Sequence, residues 1–326
     1  MLSPHPVTLA CLLVTSLPLG PSFFRPFLPK DTTPMITSAA TPVSLPFSLP
    51  ETLSKDAGVY GTCLAAADFD NDGMPDLLAA YAGNSGGRLL LFRGNPRAVY
   101  PKGGAQAAPF FPDPKVFPLT AAPDFLVTGD FNGDGNQDAI FATRNAPRLF
   151  VASGDGKGNL AAPEAFNLPG ALTAILASDL NCANGLTDLA VAISDAQEDA
   201  LLVYQHPNGA LKATPERFPL PGPAHDLTAG RLDTDGFYDL AAATPNALVL
   251  VHGRDRRLSV GQKARGIIKP ARLTQLPLAA EALVVGRFGR EDRFDLAVLT
   301  TGGNLVTVSP ELLDAPDLSA RIYQAG

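Results

Sequence analysis

Closely spaced aspartates recur along the chain at positions that could together bind a cation. Asp68, Asp70, Asp72 and Asp76 stand at positions 1, 3, 5 and 9 of one short segment, with Gly73 at position 6. Alternate residues of a tight loop direct their side chains into one concavity, and glycine permits the positive φ of the bend. Carboxylates this close repel one another unless a cation neutralises them, and Ca²⁺ accepts about six to eight oxygen ligands. The spacing is therefore that of a Ca²⁺ loop, and the alternative is a solvated acidic turn without metal.

A second copy of the pattern begins at Asp130 and continues with Asn132, Asp134 and Asp138, with Gly135 at the bend. Asparagine in place of the second aspartate keeps an oxygen ligand and removes one charge. A single acidic turn could arise by chance, but two complete copies in register favour a metal. The sequence therefore predicts two Ca²⁺ loops.

Three further segments carry altered copies of the pattern. The third begins at Asp179 and keeps Asn181 and Asp188, but it has one additional residue before its glycine, so we expect weaker Ca²⁺ binding there. The fourth and fifth segments have Arg231 and Arg287 at the first position. A guanidinium would repel a metal but could pair with the remaining carboxylates as an internal counter-ion. The alternative is that both arginines point into solvent.

The five acidic segments belong to one internal repeat. An apolar run precedes and follows each turn, and the first positions of successive turns lie 49 to 62 residues apart. A Phe-x-Leu element begins 13 residues before the turn in three copies, at Phe117–Leu119, Phe166–Leu168 and Phe218–Leu220. A second apolar run lies further downstream of each turn. Each unit therefore holds about four strands, which is the content of one propeller blade.

The pattern D-x-D-x-D-G-x-x-D-L between two strands resembles the FG-GAP repeat of integrin α-chain propellers and the related VCBS repeats of bacterial surface proteins. The resemblance extends over about residues 43–326 and implies an all-β fold, a β-propeller of four-stranded blades. The repeat spacing favours five blades, with six or seven as alternatives. The resemblance also implies that the ninth residue closes each Ca²⁺ site and that the seventh, Met74 or Asn136, contributes its backbone carbonyl.

Closure of the ring requires a fourth strand for the last unit, which has no Phe-x-Leu element of its own. Phe47–Leu49 stands ahead of the first unit and could supply that strand, which would leave no open sheet edge. The alternative donor is the C-terminal segment Ser319–Tyr323. The sequence favours the first arrangement.

Residues 1–42 differ in composition from the repeats, and we expect them to be a signal peptide followed by a Pro- and Ser-rich linker. The apolar run Val7–Leu19 is too short to cross a hydrocarbon layer of about 30 Å, but it has the length of the hydrophobic region of a secretory signal. The alternative is a disordered tail. The sequence thus predicts a secreted, periplasmic or cell-surface protein without a membrane span.

Charge and motif content restrict the function further. The chain has 25 Lys and Arg against 32 Asp and Glu, so it offers no basic surplus for nucleic acid. Neither a nucleophile elbow nor a phosphate-binding loop is present, and the four histidines form no closely spaced pair. We therefore expect a monomeric, calcium-stabilised binding, adhesion or scaffold propeller without catalytic activity, whose ligand is a protein or a glycan. The alternative is a propeller-type polysaccharide lyase or hydrolase.

Overall fold

A computed structural model of the 326-residue chain describes residues 58–84, 86–100, 107–180, 185–254, 271–288, 294–308 and 323–324. The expected leader (residues 1–42), the segment Phe47–Leu49 and Asn181 lie outside the described residues, so the division of the chain at residue 42 stays a prediction. The helical elements among the described residues are a short helix α1 at Pro96–Val99 and a 3-10 turn at Ala210–Lys212. No helix among the described residues combines the length and hydropathy that crossing a bilayer requires.

In the described residues the strands form five antiparallel sheets, each made of four consecutive strands. The first sheet contains β1 (Tyr60–Ala67), β2 (Asp76–Gly83), β3 (Gly86–Phe92) and β4 (Lys115–Leu119). The second contains β5 (Phe125–Gly129), β6 (Asp138–Ala142), β7 (Arg148–Ala152) and β8 (Glu164–Asn167). The third contains β9 (Ala171–Ser178), β10 (Asp188–Ser194), β11 (Asp199–Tyr204) and β12 (Glu216–Leu220). The fourth contains β13 (Asp226–Gly230), β14 (Asp239–Ala243), β15 (Leu248–Val251) and β16 (Leu273–Leu276). The fifth contains β17 (Ala280–Gly286), β18 (Asp295–Thr300), β19 (Leu305–Val308) and β20 (Tyr323–Gln324).

The first strands of successive sheets contact one another, β1 with β5, β5 with β9, β9 with β13 and β13 with β17. The middle strands of the second, third and fourth sheets lie between two neighbouring sheets, and they are accordingly apolar without alternation. Every residue of β6, β14 and β15 is buried. Such runs are typical of strands buried on both faces. The sheets are therefore stacked face to face as the blades of a propeller.

Four hydrophobic clusters lie between successive blades, and each includes the residue at the second position of an acidic turn. These residues are Phe69, Phe131, Leu180 and Leu232. Phe131 is fully buried, and burying a side chain of this size contributes about 1.5–3 kcal/mol. The first four acidic turns are therefore anchored to the core by the apolar residue that follows their first position, whereas Phe288 in the fifth turn is exposed.

The structure confirms the all-β propeller of four-stranded blades, and the described strands fit a ring of five or six. The Phe-x-Leu elements begin in β4, β8 and β12, the outermost strands of the first three sheets. In the fifth sheet Tyr323–Gln324 occupies the position next to β19. The preference for Phe47–Leu49 as this fourth strand was therefore wrong, because the C-terminal segment pairs there instead.

Candidate metal centres

The five acidic turns occupy equivalent places in the fold. Each joins the first strand of its sheet to the second, as between β1 and β2 or between β5 and β6. Because the sheets share one topology, the turns lie on the same face of the propeller. The first two turns contact each other directly, since Asn71 Nδ2 donates to Asn136 Oδ1 at 3.1 Å.

The aspartate at the ninth position has a structural role in every blade. One of its oxygens accepts the backbone N–H of the second turn residue at 2.8–3.1 Å. The donor and acceptor pairs are Phe69 with Asp76, Phe131 with Asp138, Leu180 with Asp188, Leu232 with Asp239 and Phe288 with Asp295. In three blades the other oxygen accepts the N–H of a glycine that follows the third strand, namely Gly94, Gly154 or Gly253. This aspartate therefore ties the acidic turn to the neighbouring hairpin whether or not a metal is bound.

Burial of these ninth-position aspartates disfavours their ionised form. Desolvation raises the pKa of Asp138 to about 6, against the lowering effect of its two backbone hydrogen bonds, and Asp134 and Asp130 raise it further. Burial likewise raises the pKa of Asp76, with Asp70 and Asp72 adding to the rise. Negative charge is thus held in both turns at an energetic cost that a bound cation would remove.

The first turn brings together three of the four aspartates that the sequence selected. Carboxylate oxygens of Asp68, Asp70 and Asp76 lie within 4.8 Å of one another. Asp68 accepts the backbone N–H groups of Asp72 and Gly73 at 3.1 and 2.8 Å, which fixes the loop around it.

The donor set of the first turn fits Ca²⁺. The Asp70 side chain is 6% exposed, and its buried Oδ1 has no hydrogen-bond partner among the described residues. A buried carboxylate oxygen without a donor is costly unless a cation satisfies it. The observed arrangement, all oxygen and mostly carboxylate, is what this hard cation prefers.

Arg93, which follows β3, also contacts the carboxylates of the first turn. Its Nε pairs with Asp70 Oδ2, and its Nη2 lies 3.7 Å from Asp72 Oδ2. The guanidinium also lies 5.9 Å from the centre of the Phe111 ring. The Arg93 side chain is 51% exposed, so solvent reaches it on one side. The sequence pattern did not reveal this arginine, because it lies 17 residues beyond the last aspartate of the motif.

The second turn is built on the same plan, and the basic side chain that reaches it, Lys212, donates from Nζ to the Asn132 carbonyl oxygen at 2.9 Å. Asp130 is buried and accepts the N–H groups of Gly133, Asp134 and Gly135 at 2.7–3.2 Å. Asn132 Nδ2 donates to Asp134 Oδ2 at 3.0 Å. In the described part of the chain, no lysine, arginine or histidine forms an ion pair with the carboxylates of this turn.

The seventh residue of each turn donates its backbone N–H to the aspartate at the fifth position. The Met74 N–H donates to Asp72 Oδ1 at 2.9 Å, and the Asn136 N–H donates to Asp134 Oδ1 at 2.8 Å. These bonds between positions 5 and 7 give the two turns the same local conformation. Gly73 and Gly135 adopt φ values of 85° and 87°, as the bend predicted.

The third turn differs from the first two. Asp188 is buried, and Gln205 Nε2 donates to its Oδ2 at 3.1 Å. Asp179 begins the turn, and Asn181 lies outside the described residues. The structure therefore places a neutral amide against the ninth-position carboxylate of this blade.

The fourth turn is contacted by His252 and Arg272 and not by the arginine that the sequence suggested. His252 Nδ1 lies 2.8 Å from Asp233 Oδ2 and 3.9 Å from Asp239 Oδ1, and all three side chains are at most 5% exposed. His252 Nε2 lies 2.8 Å from Thr274 Oγ1. Arg272 Nη2 approaches Asp233 Oδ2 to 3.7 Å. His252, directly after β15, and Arg272, directly before β16, therefore lie beside the carboxylates of this turn.

The hypothesis that Arg231 and Arg287 pair with the carboxylates of their own turns was wrong for Arg231. Arg231 is exposed, and its Cζ lies 5.8 Å from the centre of the Tyr238 ring. Arg287 is exposed as well and lies 5.1 Å from the Phe294 ring. Each arginine lies against the aromatic residue that directly precedes the ninth-position aspartate. The first turn position is open to solvent in these two blades.

Comparison with known proteins agrees with this architecture. Residues 130–182 match the FG-GAP-like repeat family, a segment that begins at the first ligand position of the second turn. The prediction of an FG-GAP-type propeller is thereby confirmed. A search of curated proteins finds no match.

Three solved structures match the chain at low identity. The chain is 18% identical to BBS1N in its complex with ARL6DN, with a TM-score of 0.46 over 76% of this chain and 61% of that one. It is 10% identical to the Dos1 propeller, with a TM-score of 0.45 over 81% and 58%. It is 14% identical to the V. cholerae biofilm matrix protein Bap1, with a TM-score of 0.41 over 82% and 40%. The chain therefore spans less than two thirds of each of these structures.

Proposed function

We propose that this FG-GAP-type β-propeller is a calcium-stabilised binding or scaffold module that acts outside the cytoplasm and catalyses no reaction. The observation that carries the proposal is the pair of adjacent acidic turns on one face. In one of them a buried carboxylate oxygen, Asp70 Oδ1, has no donor in the described part of the chain. In the other, no basic side chain in the described part of the chain forms an ion pair with the carboxylates, and Lys212 contacts the Asn132 carbonyl oxygen instead.

Two ligand sets follow from the turns. In the first, Asp68, Asp70, Asp72 and Asp76 would hold the ion together with the Met74 carbonyl. In the second, the corresponding residues are Asp130, Asn132, Asp134, Asp138 and the Asn136 carbonyl. A bound Ca²⁺ supplies positive charge that the buried aspartates otherwise lack. The residues of the chain hold the two turns rigid, since the ninth-position aspartates fasten each turn to the next hairpin.

Rigid turns on one face of a propeller suit a binding surface better than a catalytic one. Loops held by a scaffold present fixed contacts to a partner, and such loops carry the binding residues in many folds. The charge of the chain disfavours nucleic acid, so a protein or a glycan is the expected ligand. Export is part of the proposal because extracellular Ca²⁺ is abundant enough to fill sites with dissociation constants of about 10⁻⁴–10⁻³ M.

The proposal is tested on the full chain by unfolding in metal-stripped buffer and in Ca²⁺. A ligand at fifty times its dissociation constant stabilises the folded state by about 2 kcal/mol, because it binds that state alone. We expect Ca²⁺ at several millimolar to raise Tm by several degrees and Mg²⁺ at the same concentration to raise it less. An identical Tm in stripped buffer and in Ca²⁺ would contradict the proposal.

A matched pair of variants locates the effect. Asp134→Asn changes the fifth position of the second turn and should reduce the Ca²⁺-dependent rise in Tm. Asp235→Asn changes the same position of the fourth turn, which His252 and Arg272 contact. This variant should leave the Ca²⁺-dependent rise in Tm unchanged. Equal behaviour of the two variants would show that the rise comes from elsewhere. Incubation of the protein with a panel of polysaccharides tests the absence of catalysis, and release of reducing or unsaturated ends would overturn that part.

A further inference from the structure

The residue that follows the third strand occupies the same place in four blades. The last residue of each third strand pairs with the residue after the ninth-position aspartate, as Phe92 pairs with Leu77. The other pairs are Ala152 with Ala139, Tyr204 with Leu189 and Val251 with Leu240. The next residue is therefore equivalent in each blade, and we name it the exit residue. The exit residues are Arg93, Ser153, Gln205 and His252.

Exit residues face the acidic turn of their own blade. Arg93 pairs with Asp70, Gln205 donates to Asp188, and His252 lies against Asp233. In the first and fourth blades the contacted aspartate is the third position of the turn, which in the first blade belongs to the proposed ligand set. A basic exit residue thus lies where it competes with a metal for the same oxygens.

The second blade has a different exit residue. Ser153 has a short neutral side chain that brings no charge to Asp130, Asp134 or Asp138. The two complete motifs share their spacing but differ in the electrostatic environment that the neighbouring strand provides. The sequence motif alone does not distinguish them.

We propose that the exit residue determines how strongly the acidic turn of its blade binds Ca²⁺. Arg93 acts as a tethered counter-ion that weakens binding in the first turn, whereas Ser153 leaves the second turn as the stronger site. This inference rests on the proposed function, since it assumes that the turns take Ca²⁺. In this inference Arg93 is a counter-ion of the ligand carboxylates and is not itself a ligand.

The structure also shows how Arg93 can be displaced. The Arg93 side chain is half exposed, so it stays hydrated when it leaves the turn. The centre of the Phe111 ring lies 5.9 Å from its guanidinium. Ca²⁺ binding would release Asp70 Oδ2 from Arg93 and engage the unpartnered Oδ1. Binding in the first turn therefore includes the cost of breaking an ion pair that the second turn does not have.

Calcium titration by calorimetry on the full chain tests the inference, with each turn measured while the other is disabled. In an Asp130→Asn background the first turn reports, and in an Asp68→Asn background the second turn reports. We expect Arg93→Ser to raise the affinity of the first turn at least tenfold. We expect Ser153→Arg to lower the affinity of the second turn at least tenfold. Arg97→Ser removes the same charge from the exposed helix α1 and should change neither.

A second readout is independent of Ca²⁺. In metal-stripped buffer Arg93→Ser should lower Tm, because Asp70 and Asp72 lose their counter-ion, while Arg97→Ser should not. Arg93→Gln, which places the exit residue of the third blade in the first, guards against a packing defect and should behave like Arg93→Ser in the titration.

The outcomes separate this inference from the proposed function. If the second turn binds Ca²⁺ and Arg93→Ser leaves the first turn within twofold of its parent, the inference is overturned and the proposed function stands. An equal gain from Arg97→Ser would also overturn it, since the effect would then be one of net charge. If Arg93→Ser binds Ca²⁺ and the unmodified first turn does not, the inference is supported. If no turn binds in any variant, both fail.

Discussion

A change of pH in the absence of metal should reveal the cost of holding buried negative charge in the acidic turns. Asp138 has its pKa raised to about 6 by burial, against an ordinary value of 3.8. Because the folded value lies above the unfolded one, this group contributes most to stability below pH 4. The contribution is lost as the pH rises through 6. Without Ca²⁺ the protein should therefore become less stable between about pH 4.5 and pH 7.

The magnitude follows from linkage between protonation and folding. One pKa unit corresponds to about 1.4 kcal/mol, so ionised Asp138 costs the fold about 3 kcal/mol at pH 7. Asp239, with its pKa also raised to about 6, adds a loss of the same sign. Asp155 titrates in the opposite sense, but its pKa is lowered to about 2, which is outside this window.

Calcium should remove the part of this pH dependence that comes from the ligand turns. A bound Ca²⁺ favours the ionised form of Asp138, so the stabilisation by Ca²⁺ should be larger at pH 7 than at pH 5. The fourth turn should contribute equally with and without Ca²⁺. Urea unfolding in metal-stripped and in Ca²⁺ buffer at pH 4.5, 5.5 and 7 measures both terms. An increment from Ca²⁺ that is the same at pH 5 and pH 7 would refute the reasoning, as would metal-free stability that rises over this range.

Four substitutions test other contacts by urea unfolding. Gly154→Ala would place a Cβ 2.0 Å from the Gln137 carbonyl oxygen, and we expect a loss of more than about 2 kcal/mol. Gly135→Ala has open space around its Cβ and should cost only about 1 kcal/mol for its positive φ; an equal cost for both would contradict the steric reason. His252→Ala should cost about 1–3 kcal/mol, because it leaves buried polar partners unsatisfied, and a neutral result would show that the contacts are not stabilising. Arg231→Ala should cost at most about 1 kcal/mol, the value of an exposed cation–π contact, and a larger loss would restore the counter-ion hypothesis.

Much of the fold could be predicted from the sequence because the repeat fixes both composition and order. Apolar runs of strand length on either side of each turn are a local property, and the Phe-x-Leu element keeps a constant offset from it. The closing strand could not be predicted in this way. Tyr323–Gln324 has no repeat signature, so its pairing with β19 could not be predicted from its residues.

The candidate sites were predictable to the extent that ligands follow one another along the turn. Asp68, Asp70 and Asp76 meet as expected, because the tight turn directs their side chains into one concavity. The counter-ions were not predictable from the motif, because Arg93 and His252 reach the turns from a different strand. One signal was present, since each stands directly before a glycine that closes an apolar strand. Its meaning depends on the register of that strand with the second strand of the blade.

The ninth-position aspartate explains why altered repeats still resemble the intact ones. Asp239 remains in the fourth blade although Arg231 has replaced the first ligand position, and its two oxygens accept the backbone N–H groups of Leu232 and Gly253. Loss of that carboxylate would leave two buried donors unsatisfied, at about 1–3 kcal/mol each. The fold therefore requires this residue in every blade, whereas the first and third positions are required only where a cation must be held. An intact end of the motif is evidence for a blade, and the exit residue is the better evidence for whether the turn of that blade is open to a metal.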